Sequence, residues 1–377
     1  MKIALLGYGT VGGGVYRIIE PREDLETKYV LDLRTFPELG TTLVHDFDTI
    51  LNDPDVETVA EAMGGLHPAY EFASACLKAG KNYVTANKHL ISHYYRELTA
   101  LAKENGVCLR CTAAVGGGIP WLINLERARR IDKITSLQGI MNGTTNYILD
   151  TMLHEPVPFA DVLARAQALG YAEANPAADI DGLDIQRKLI ISANVAFDCL
   201  LTEEDVPTFG IRTITDGDIA AFTEAGFVCK LVASAIRTGQ GVAAWIEPTL
   251  LPARNMMAAV PSNFNLITYV GEYVGEQSYY GQGAGRFPTA CNVVQDCIDI
   301  AGGTRGFYGS AQDPVEQGSV SHPYYVRTTG NSPWLDEITD HKLGNGVVTK
   351  PVSNLQMHAF MASIQESDPE AFMAGIR

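Results

Sequence analysis

Short apolar runs alternate with amphipathic stretches over the first 112 residues of the chain. The first run, Lys2 to Leu6, is almost wholly apolar, which is typical of a strand buried on both faces of a sheet. A glycine-rich turn follows, and the stretch over 15–19 has the periodicity of a helix. Equivalent runs predict further strands over 29–34, 57–63, 82–86 and 107–112, with helices between them. This alternation predicts an α/β fold with a parallel, doubly wound sheet.

The pattern changes after residue 131, where strand-like runs predict a second domain of mixed α/β type. The tail predicts short strands over 324–327 and 346–349, and an amphipathic helix within 356–365 or near 370–376. The region after Gly302 is rich in Gly, Ser and Pro and predicts loop. We therefore expect a first domain over 1–134, completed by about 285–318, a second domain over 135–284, and a short third region over 319–377.

A GxGxxG motif lies directly between the first predicted strand and the first predicted helix. Its glycines are Gly7, Gly9 and Gly12. Strand, motif and helix in this order indicate a Rossmann-type site, because the glycines allow a tight turn and close approach of backbone to a pyrophosphate. The helix N-terminus then faces the phosphate charge. A purely structural glycine-rich turn is the alternative.

Two charged residues follow the second predicted strand, where such folds contact the adenosine ribose. An acid there accepts a hydrogen bond from the 2′-hydroxyl of NAD, whereas an arginine suits the 2′-phosphate of NADP. Asp32 and Arg34 are both present. Arg34 is nearer the end of the strand and favours NADP, and either residue could instead be an ordinary surface charge.

Two further features follow later strands of this sheet. Lys88 comes directly after the fourth predicted strand, at the carboxyl edge where ligands bind open α/β sheets. The run Ala113 to Pro120 contains three consecutive glycines before a proline. Carbonyl groups of such a loop could hold a monovalent cation, or the loop could simply turn the chain into the helix predicted over 121–130.

The stretch Gly170 to Lys188 is the most unusual part of the chain. It holds four carboxylates, Glu173, Asp179, Asp181 and Asp184, and the spacing of Asp184 and Lys188 places them on one face of a helix. A calcium-binding EF-hand loop is excluded. With Gly182 at the glycine position 6 of such a loop, position 12 is Lys188, where a carboxylate ligand is required. Two hypotheses remain: an acidic turn with a solvated ion pair, or a site that binds an ammonium group and supplies a lysine to a reacting oxygen.

Composition narrows the possible partners. The 377 residues carry a net charge of −16, which argues against nucleic acid and anionic membranes as partners. No apolar run is long enough for a membrane span, and we find no targeting signal. Cys108 and Cys111 form a CxxC, but they lie in an apolar run and predict buried strand. We expect a cytoplasmic protein with reduced thiols.

These motifs together resemble the homoserine dehydrogenases, in their monofunctional form. The resemblance runs in order from Met1 to about Ala301, and the Gly170–Lys188 stretch is its most specific part. The other matching blocks are Gly7–Gly12, Thr85–Lys88, Ala114–Pro120, Gly139–Tyr147 and Gly281–Gly285. The family interconverts L-homoserine and L-aspartate 4-semialdehyde by hydride transfer with NAD(P), on the route to threonine and methionine. No metal is needed for that chemistry.

The resemblance implies a role for each residue of the substrate site. Glu173 and Asp184 would bind the ammonium group of the substrate. Lys188 would protonate the carbonyl oxygen during aldehyde reduction, and Lys88 would lie beside substrate and nicotinamide. Asp179 and Asp181 would be mainly structural. The pocket would also be lined by Tyr171, Asn142 and Thr144.

The resemblance also implies cofactor and cation contacts. Cofactor contacts would come from Gly7, Gly9, Thr10, Val11, Gly12, Arg34, Gly64, Lys88, Gly170, Gly283 and Gly285. A sodium ion would bind the carbonyl groups of Val115, Gly117 and Ile119. Many family members place a glutamate three residues before that valine, but this chain has Thr112, so the side-chain ligand is missing.

Three matters stay open at this level. The second domain would also form a homodimer or homotetramer, which is a family expectation only. The tail over 319–377 is short for the ligand-sensing ACT module of many members, and we expect either a shortened ACT-like module or a simple tail. The alternative functions are a non-catalytic dinucleotide sensor and a dehydrogenase of another amino-acid aldehyde. The discriminating feature is Lys188 with Asp184 and Glu173, since a sensor has no need of these three residues beside Lys88.

Overall fold

The computed structural model describes residues 1–239, 241–304 and 318–377. Within them the chain forms two compact units. Unit 1 comprises 1–133, 190–202 and 281–304, and unit 2 comprises the remaining described residues. Residues 190–202, predicted in the second domain, therefore pack within unit 1, and the tail packs within unit 2. The predicted completion of the first domain to residue 318, and the loop predicted after Gly302, lie partly outside the described residues.

The regular elements of the described residues are numbered along the chain. The strands are β1 Lys2–Leu6, β2 Glu26–Leu31, β3 Leu43–Val44, β4 Thr58–Glu61, β5 Asn82–Thr85, β6 Leu109–Arg110, β7 Ile134–Ile140, β8 Phe227–Thr238, β9 Gly241–Pro252, β10 Phe264–Gly271, β11 Gly275–Gln282, β12 Ser321–His322, β13 Tyr324–Arg327, β14 Thr339–Leu343, β15 Gly346–Thr349, β16 Val352–Ser353 and β17 Phe372–Ile376. The helices are α1 Thr10–Ile19, α2 Phe47–Leu51, α3 Ala69–Lys78, α4 Lys88–Glu104, α5 Trp121–Ala128, α6 Gly143–His154, α7 Phe159–Ala168, α8 Ala177–Ile180, α9 Leu183–Phe197, α10 Asp216–Glu224, α11 Arg286–Ala301, α12 Pro333–Ile338 and α13 Asn354–Ile364. None of the helices in the described residues is long and apolar enough to cross a membrane.

Unit 1 is built on a parallel sheet in the order β3-β2-β1-β4-β5-β6. This is the order of a dinucleotide-binding Rossmann fold, in which the strand order reverses beside β1 and opens a crevice at the carboxyl ends. The predicted doubly wound fold is therefore confirmed. Its core is aliphatic, with Ile3, Leu5, Val15 and Val30 all buried. Helix α1 packs against α11.

Unit 2 is built on a long mixed sheet in the order β11-β10-β7-β8-β9-β17-β13-β15-β14. Strands β8 and β9 pair antiparallel from Phe227↔Pro252 to Thr238↔Gly241. Both strands are buried along most of their length, which explains their long apolar runs. The sheet supports α6, which packs against β8 and β10. The first turn of α6 carries residues of the site described below.

The tail is a folded βαββαβ unit. Strand β13, helix α12, strands β14 and β15, helix α13 and strand β17 follow one another, and the strands are ordered β17-β13-β15-β14. Adjacent strands are antiparallel, as in ferredoxin-like units. The strands predicted at 324–327 and 346–349 and the helix predicted over 356–365 are confirmed. The alternative helix near 370–376 is wrong, because that segment forms β17 between β13 and β9.

A buried carboxylate joins the tail to the sheet of unit 2. Glu247 of β9 is fully buried, and its Oε1 accepts hydrogen bonds of 2.9 Å from Trp245 and from His322. Its Oε2 accepts from Tyr324 at 3.2 Å and from His358 at 3.0 Å. Burial opposes ionisation, but the hydrogen bonds from the two histidines outweigh it and lower the pKa of Glu247 to about 2. One side chain thus fastens β12, β13 and α13 to β9.

Two differences from the predicted elements bear on the site. Strand β2 ends at Leu31 rather than Arg34, because its register with β1 starts at Glu26. Asp32 and Arg34 therefore lie in the turn beyond the strand. Strand β11 was not among the predicted strands, and it pairs with β10 at the edge of its sheet within the described residues. Its residues are mostly half-buried or exposed, so it lacks an apolar signal.

Candidate active site

The glycine-rich turn of unit 1 leaves room for a phosphate group. Gly7 follows β1 with a φ of 92°, a conformation that favours glycine. A Cβ at Gly12 would lie 1.9 Å from the carbonyl oxygen of Gly7, so α1 can start this close to β1 only with glycine there. A Cβ at Gly9 would meet no described atom within 4 Å. Thr10 and Val11 open α1, whose N-terminus faces this space. These residues fit a dinucleotide.

The carboxylate of Asp32 is fixed by hydrogen bonds from Tyr8 and Arg34. Its carboxylate accepts a 2.8 Å bond from the backbone N–H of Tyr8 and three bonds from Arg34, through the backbone N–H, Nε and Nη2, at 2.9–3.0 Å. The Arg34 guanidinium holds the pKa of Asp32 well below its usual value. The Arg34 side chain is 62% exposed, and its guanidinium lies 5.0 Å from the centroid of the Phe36 ring. An exposed guanidinium is therefore fixed at the expected ribose position.

Glu61, which the sequence did not single out, organises the next turn. It is fully buried at the end of β4, and its Oε1 accepts from the backbone N–H of Met63 at 2.6 Å and of Gly64 at 3.0 Å. Its Oε2 accepts from the Thr85 hydroxyl at 2.6 Å. Glu61 thus fixes the turn that contains the predicted cofactor residue Gly64. Its position at the end of an apolar strand was the available signal.

Lys88 lies where the sequence placed it, directly after β5. It is the first residue of α4, whose N-cap is Asn87. The side-chain oxygen Oδ1 of Asn87 accepts from the N–H of Leu90 at 3.1 Å, and its side-chain amide donates to the carbonyl of Gly65 at 2.6 Å. The turns after β4 and β5 are thereby joined, and Lys88 is presented at the carboxyl edge of the sheet.

Gly283 and Gly285 lie in the turn before α11. Gly285 is the N-cap of α11, with a φ of 130°. A Cβ at Gly117 would lie 2.6 Å from the carbonyl carbon of Gly283, so these two glycine-rich segments are in close backbone contact. Both predicted cofactor residues thus belong to unit 1, with the GxGxxG turn.

The predicted cation site does not fit the loop. The carbonyl groups of Gly117 and Ile119 both accept hydrogen bonds from the side-chain amide of Asn292, at 2.6 and 3.0 Å. This geometry does not support the predicted sodium ion at Val115, Gly117 and Ile119, because an amide donor already satisfies two of the three carbonyl groups. The described residues contain no group of three or more His, Cys, Asp or Glu that could hold a metal ion.

In unit 2 the site begins where α7 ends. Gly170 has a φ of 75°, and its N–H donates to the carbonyl of Gln167 while that of Tyr171 donates to Ala166. This is a Schellman motif, which requires a left-handed residue at Gly170. The Tyr171 ring lies edge-on to the Tyr147 ring at 5.1 Å, and the Tyr171 carbonyl accepts from the Thr144 hydroxyl. Tyr171 and Thr144, which were both predicted to line the pocket, are thus in contact.

The centre of the unit 2 site is a buried lysine held from two sides. Nζ of Lys188 donates to Oδ2 of Asp184 at 2.8 Å and to the carbonyl of Met141 at 2.7 Å. Lys188 and Asp184 are only 8% and 6% exposed. The pair is therefore not the solvated surface pair of the alternative hypothesis. It lies in the first two turns of α9, where the N-terminus stabilises the acid.

Asn142 connects this pair to a second carboxylate. It is the N-cap of α6, because its side-chain oxygen Oδ1 accepts from the N–H of Thr145 at 2.9 Å. Its amide nitrogen is then free to point outward from the helix, and it donates to Asp179 at 2.7 Å and to Asp184 at 2.9 Å. One capping residue thus orients two acids 37 and 42 positions away.

Asp179 was predicted to be mainly structural, and the structure places it in the cluster. Burial, reinforced by the neighbouring charge of Asp184, raises the pKa of Asp179. Asp179 and Asp184 thus accept from the same amide, and Asp184 also accepts from Lys188. The sequence offered Asp179 only as one acid among four, since its contact with Asn142 depends on tertiary folding.

The other two acids of the stretch lie differently. Asp181 forms a bidentate pair with Arg212, with both bonds at 2.7 Å, and both side chains are exposed. Glu173 is exposed, and it is its backbone carbonyl that accepts a hydrogen bond, from Gln167 at 3.0 Å. The structure thus joins Asn142, Asp184 and Lys188, but it does not join the Glu173 carboxylate to them.

The chemistry of the two units is complementary. The unit 2 cluster offers carboxylates for an ammonium group and a lysine that can exchange a proton with oxygen. Unit 1 offers a dinucleotide site. The unit 2 cluster fits an amino-acid alcohol or aldehyde, and the unit 1 site fits a dinucleotide cofactor.

Comparisons with known proteins agree with this chemistry. Residues 7–111 match the family model described as homoserine dehydrogenase, NAD binding domain, and residues 120–298 match the one described as homoserine dehydrogenase. The homoserine dehydrogenase of Bacillus subtilis is 41% identical over 319 residues, which cover 80% of this chain and 72% of the relative. That of Synechocystis sp. is 39% identical over 90% of this chain and 81% of the relative.

Solved structures give the same result. A homoserine dehydrogenase from Thiobacillus denitrificans matches with a TM-score of 0.87 at 30% sequence identity, covering 100% of this chain and 98% of that one. A homoserine dehydrogenase from S. aureus matches with a TM-score of 0.79 at 28% identity, again over 100% of this chain and 98% of the other.

Proposed function

The chain belongs to the homoserine dehydrogenase family, and we propose that Lys188, held by Asp184 and Met141, performs the proton transfer of its reaction. The protein is an NAD(P)-dependent oxidoreductase of amino-acid biosynthesis, which interconverts L-homoserine and L-aspartate 4-semialdehyde. The alternatives of a dinucleotide sensor and of a dehydrogenase for another aldehyde have no support from the matched families. The single observation that carries the proposal is the buried Lys188–Asp184 pair.

The proton step follows from the chemistry of the aldehyde. Its reduction develops negative charge on the carbonyl oxygen, which a positioned cation with a transferable proton can stabilise and neutralise. The nicotinamide cofactor, when bound, supplies the hydride to the carbonyl carbon. Lys188 gives a proton from Nζ to the oxygen and so completes the alcohol. In the direction of oxidation, neutral Lys188 takes the hydroxyl proton back.

Asp184 and Met141 give Lys188 its position. A lysine side chain has four flexible carbon–carbon bonds, and two fixed acceptors remove most of that freedom. The carboxylate also compensates for the loss of water around a buried ammonium group. Since Asn142 bonds to the same oxygen of Asp184, the N-terminus of α6 holds the acid while the acid holds Lys188.

The ammonium group of the substrate is proposed to bind the carboxylates of the cluster. Asp179 supports this role, because burial and the neighbouring charge of Asp184 raise its pKa and so disfavour its ionised form in the free protein. A bound ammonium group would supply that charge. Glu173 remains a proposed partner from the exposed side of the stretch. Tyr171 and Thr144 would shape the pocket around the substrate.

We propose NADP as the preferred cofactor. The four bonds into Asp32 occupy the acceptor positions that a ribose 2′-hydroxyl would need, whereas the guanidinium of Arg34 is exposed and fixed. A 2′-phosphate would form charge-assisted hydrogen bonds with it. The pyrophosphate would bind at Gly7 to Gly12, and the remaining contacts would come from Gly64, Gly170, Gly283 and Gly285.

Lys88 is proposed to add a second positive charge to the reaction. Its location at the N-terminus of α4 places it at the ligand-binding edge of the unit 1 sheet. Substitution of Lys88 should then reduce turnover without unfolding the chain.

The fold type of the tail, the association of chains and the location in the cell are also proposals. The βαββαβ tail supports a folded, ACT-like module rather than a simple tail, and no effector is assigned to it. Association into a homodimer or homotetramer is proposed from the family, and light scattering coupled to size exclusion tests it. A cytoplasmic location is proposed from the cysteines of the described residues, which are thiols.

The direct test of the function is spectrophotometric. Purified protein is mixed with L-homoserine and either NADP⁺ or NAD⁺ at neutral and alkaline pH, and reduced cofactor is followed by absorbance. Homoserine-dependent reduction supports the proposal. Reduction with neither cofactor would remove it.

A further inference from the structure

The loop before α5 is held by a side chain of α11. Asn292 is only 6% exposed, and its amide nitrogen donates to the carbonyl oxygens of Gly117 and Ile119. Two backbone carbonyls that point at one position repel each other unless a cation or a donor lies between them. The loop therefore needs a positive or hydrogen-bearing group at this position, and Asn292 occupies it.

The orientation of the amide follows from its partners. Carbonyl oxygens only accept hydrogen bonds, so the NH2 group rather than the oxygen of Asn292 must face them. That group has two N–H donors, one for each carbonyl. An amide also carries no net charge, so it needs no carboxylate beside it when it is buried.

The acidic residue near the loop is paired with other groups, which is consistent with an uncharged amide between the two carbonyls. Thr112 carries no charge, and its hydroxyl and backbone N–H donate to Asp296 at 2.8 and 2.9 Å. Asp296 lies one turn after Asn292 on α11 and pairs with Nε of Arg110 at 3.1 Å. The carboxylate beside Thr112 is thus already engaged by a protein cation.

We propose that the amide of Asn292 takes the place of a monovalent cation in this chain, so that the loop from Val115 to Ile119 is held by protein atoms alone. The structural stability of the protein is then independent of sodium. This inference concerns unit 1 only and does not depend on the proton transfer proposed for Lys188.

The position of the loop explains why its support matters. Gly117 packs against the backbone of Gly283, and the N–H of Gly118 donates to the carbonyl of Gln282 at 3.2 Å. The loop thus contacts the turn before α11. That turn contains Gly283 and Gly285, which are among the proposed cofactor contacts. Loss of the amide should loosen this turn as well as the loop.

The test compares thermal unfolding in NaCl and in choline chloride at equal ionic strength, without substrate or cofactor. The full chain is measured with Asn292, with Asn292→Asp and with Asn292→Ala. Asn194→Asp is the matched control, because Asn194 is another buried asparagine of unit 1 whose amide bonds to a backbone carbonyl, that of Leu201. Sodium binding is followed in parallel by ²³Na relaxation.

The proposal predicts three results. The unsubstituted chain unfolds at the same temperature in both salts and shows no saturable sodium binding. Asn292→Asp unfolds several degrees lower in choline chloride and regains part of the loss in NaCl, since its carboxylate and the two carbonyls form an oxygen site. Asn292→Ala loses stability equally in both salts, and Asn194→Asp shows no preference for sodium.

Two results would overturn it. The first is a saturable, sodium-specific rise in the unfolding temperature of the unsubstituted chain. The second is an Asn292→Asp protein that gains no more from sodium than Asn194→Asp does. If Asn292→Asp does not fold, the ²³Na and unfolding measurements on the unsubstituted chain still decide the matter.

Discussion

Nζ of Lys188 lies 2.8 Å from Oδ2 of Asp184, one helical turn earlier, and both side chains are almost fully buried. A buried ion pair contributes little net stability, yet removal of one partner leaves a charge without compensation. The pair is therefore better explained by function than by folding. The pair holds the ammonium group of Lys188 at a fixed position in a site that excludes most water.

Asp184→Ala should lower both stability and activity. Breaking a buried pair from one side costs about 3–5 kcal/mol of unfolding free energy. Asp184→Asn should cost less, because its side-chain oxygen can still accept from Lys188 and Asn142, which both bond to Oδ2. Denaturant unfolding measures the loss of stability in each variant, and kcat/KM measures the loss of activity. Full activity in Asp184→Asn would show that the charge is dispensable.

Asp179→Asn should separate binding from stability. The raised pKa of Asp179 means that its ionised form costs folding free energy once the pH exceeds the ordinary value of 3.8, so removal of the charge should stabilise the free enzyme at pH 7 and not at pH 3. The same change should raise KM for L-homoserine roughly 10- to 100-fold, the effect of one lost charged hydrogen bond.

Asp181→Asn is the matched control for that experiment. Asp181 lies two residues away but forms an exposed pair with Arg212. Its substitution should change KM little and the unfolding free energy by less than about 1 kcal/mol. Equal rises in KM for the Asp179 and Asp181 variants would mean that the stretch acts only through its overall charge.

Arg34→Ala should reverse the cofactor preference. It removes the guanidinium proposed for the 2′-phosphate and releases the carboxylate of Asp32 for a 2′-hydroxyl. We expect kcat/KM to fall roughly 10- to 100-fold with NADP⁺ and to rise with NAD⁺. Arg22→Ala is the control, since Arg22 forms a similar bidentate pair with Asp24 away from the glycine-rich turn. An unchanged NADP⁺/NAD⁺ ratio in Arg34→Ala would contradict the assignment.

Glu247→Gln should destabilise the junction between the tail and the sheet. The lowered pKa of Glu247 contributes stability that is complete above the ordinary value of 4.5 and is lost as the pH falls towards about 2. Its loss corresponds to on the order of 3 kcal/mol at pH 7. The difference between the two proteins should disappear in acid. Glu276→Gln, at an exposed position of β11, should behave like the unsubstituted chain.

The strands of the unit 1 sheet could be predicted from the sequence, because buried parallel strands have continuous apolar runs. The strand ends were less certain. Leu33 extended the predicted second strand, but it is 95% exposed, and pairing with β1 instead fixes β2 from Glu26. The edge strand β11 gave no apolar signal because all of its residues are half-buried or exposed. Local pattern thus predicts buried strands better than their limits or the edges.

The site was predictable in part for a similar reason. Asp184 and Lys188 are one helical turn apart, so spacing alone brings them together. Asp179 and Asn142 meet only because α6 and the acidic stretch fold against each other across 37 positions. The amide of Asn292 is a contact of the same kind, 175 positions from Gly117. Such contacts leave no periodic signal, and the structure was needed to find them.

The central claim is that Lys188 exchanges the proton with the substrate oxygen. The most direct measurement is the turnover of Lys188→Ala with L-aspartate 4-semialdehyde and NADPH, with and without added methylamine. The account predicts a fall in kcat of about 10²- to 10⁴-fold, partial recovery by the amine, and NADPH binding close to that of the unsubstituted protein. Turnover near the original rate, with no response to methylamine, would contradict it.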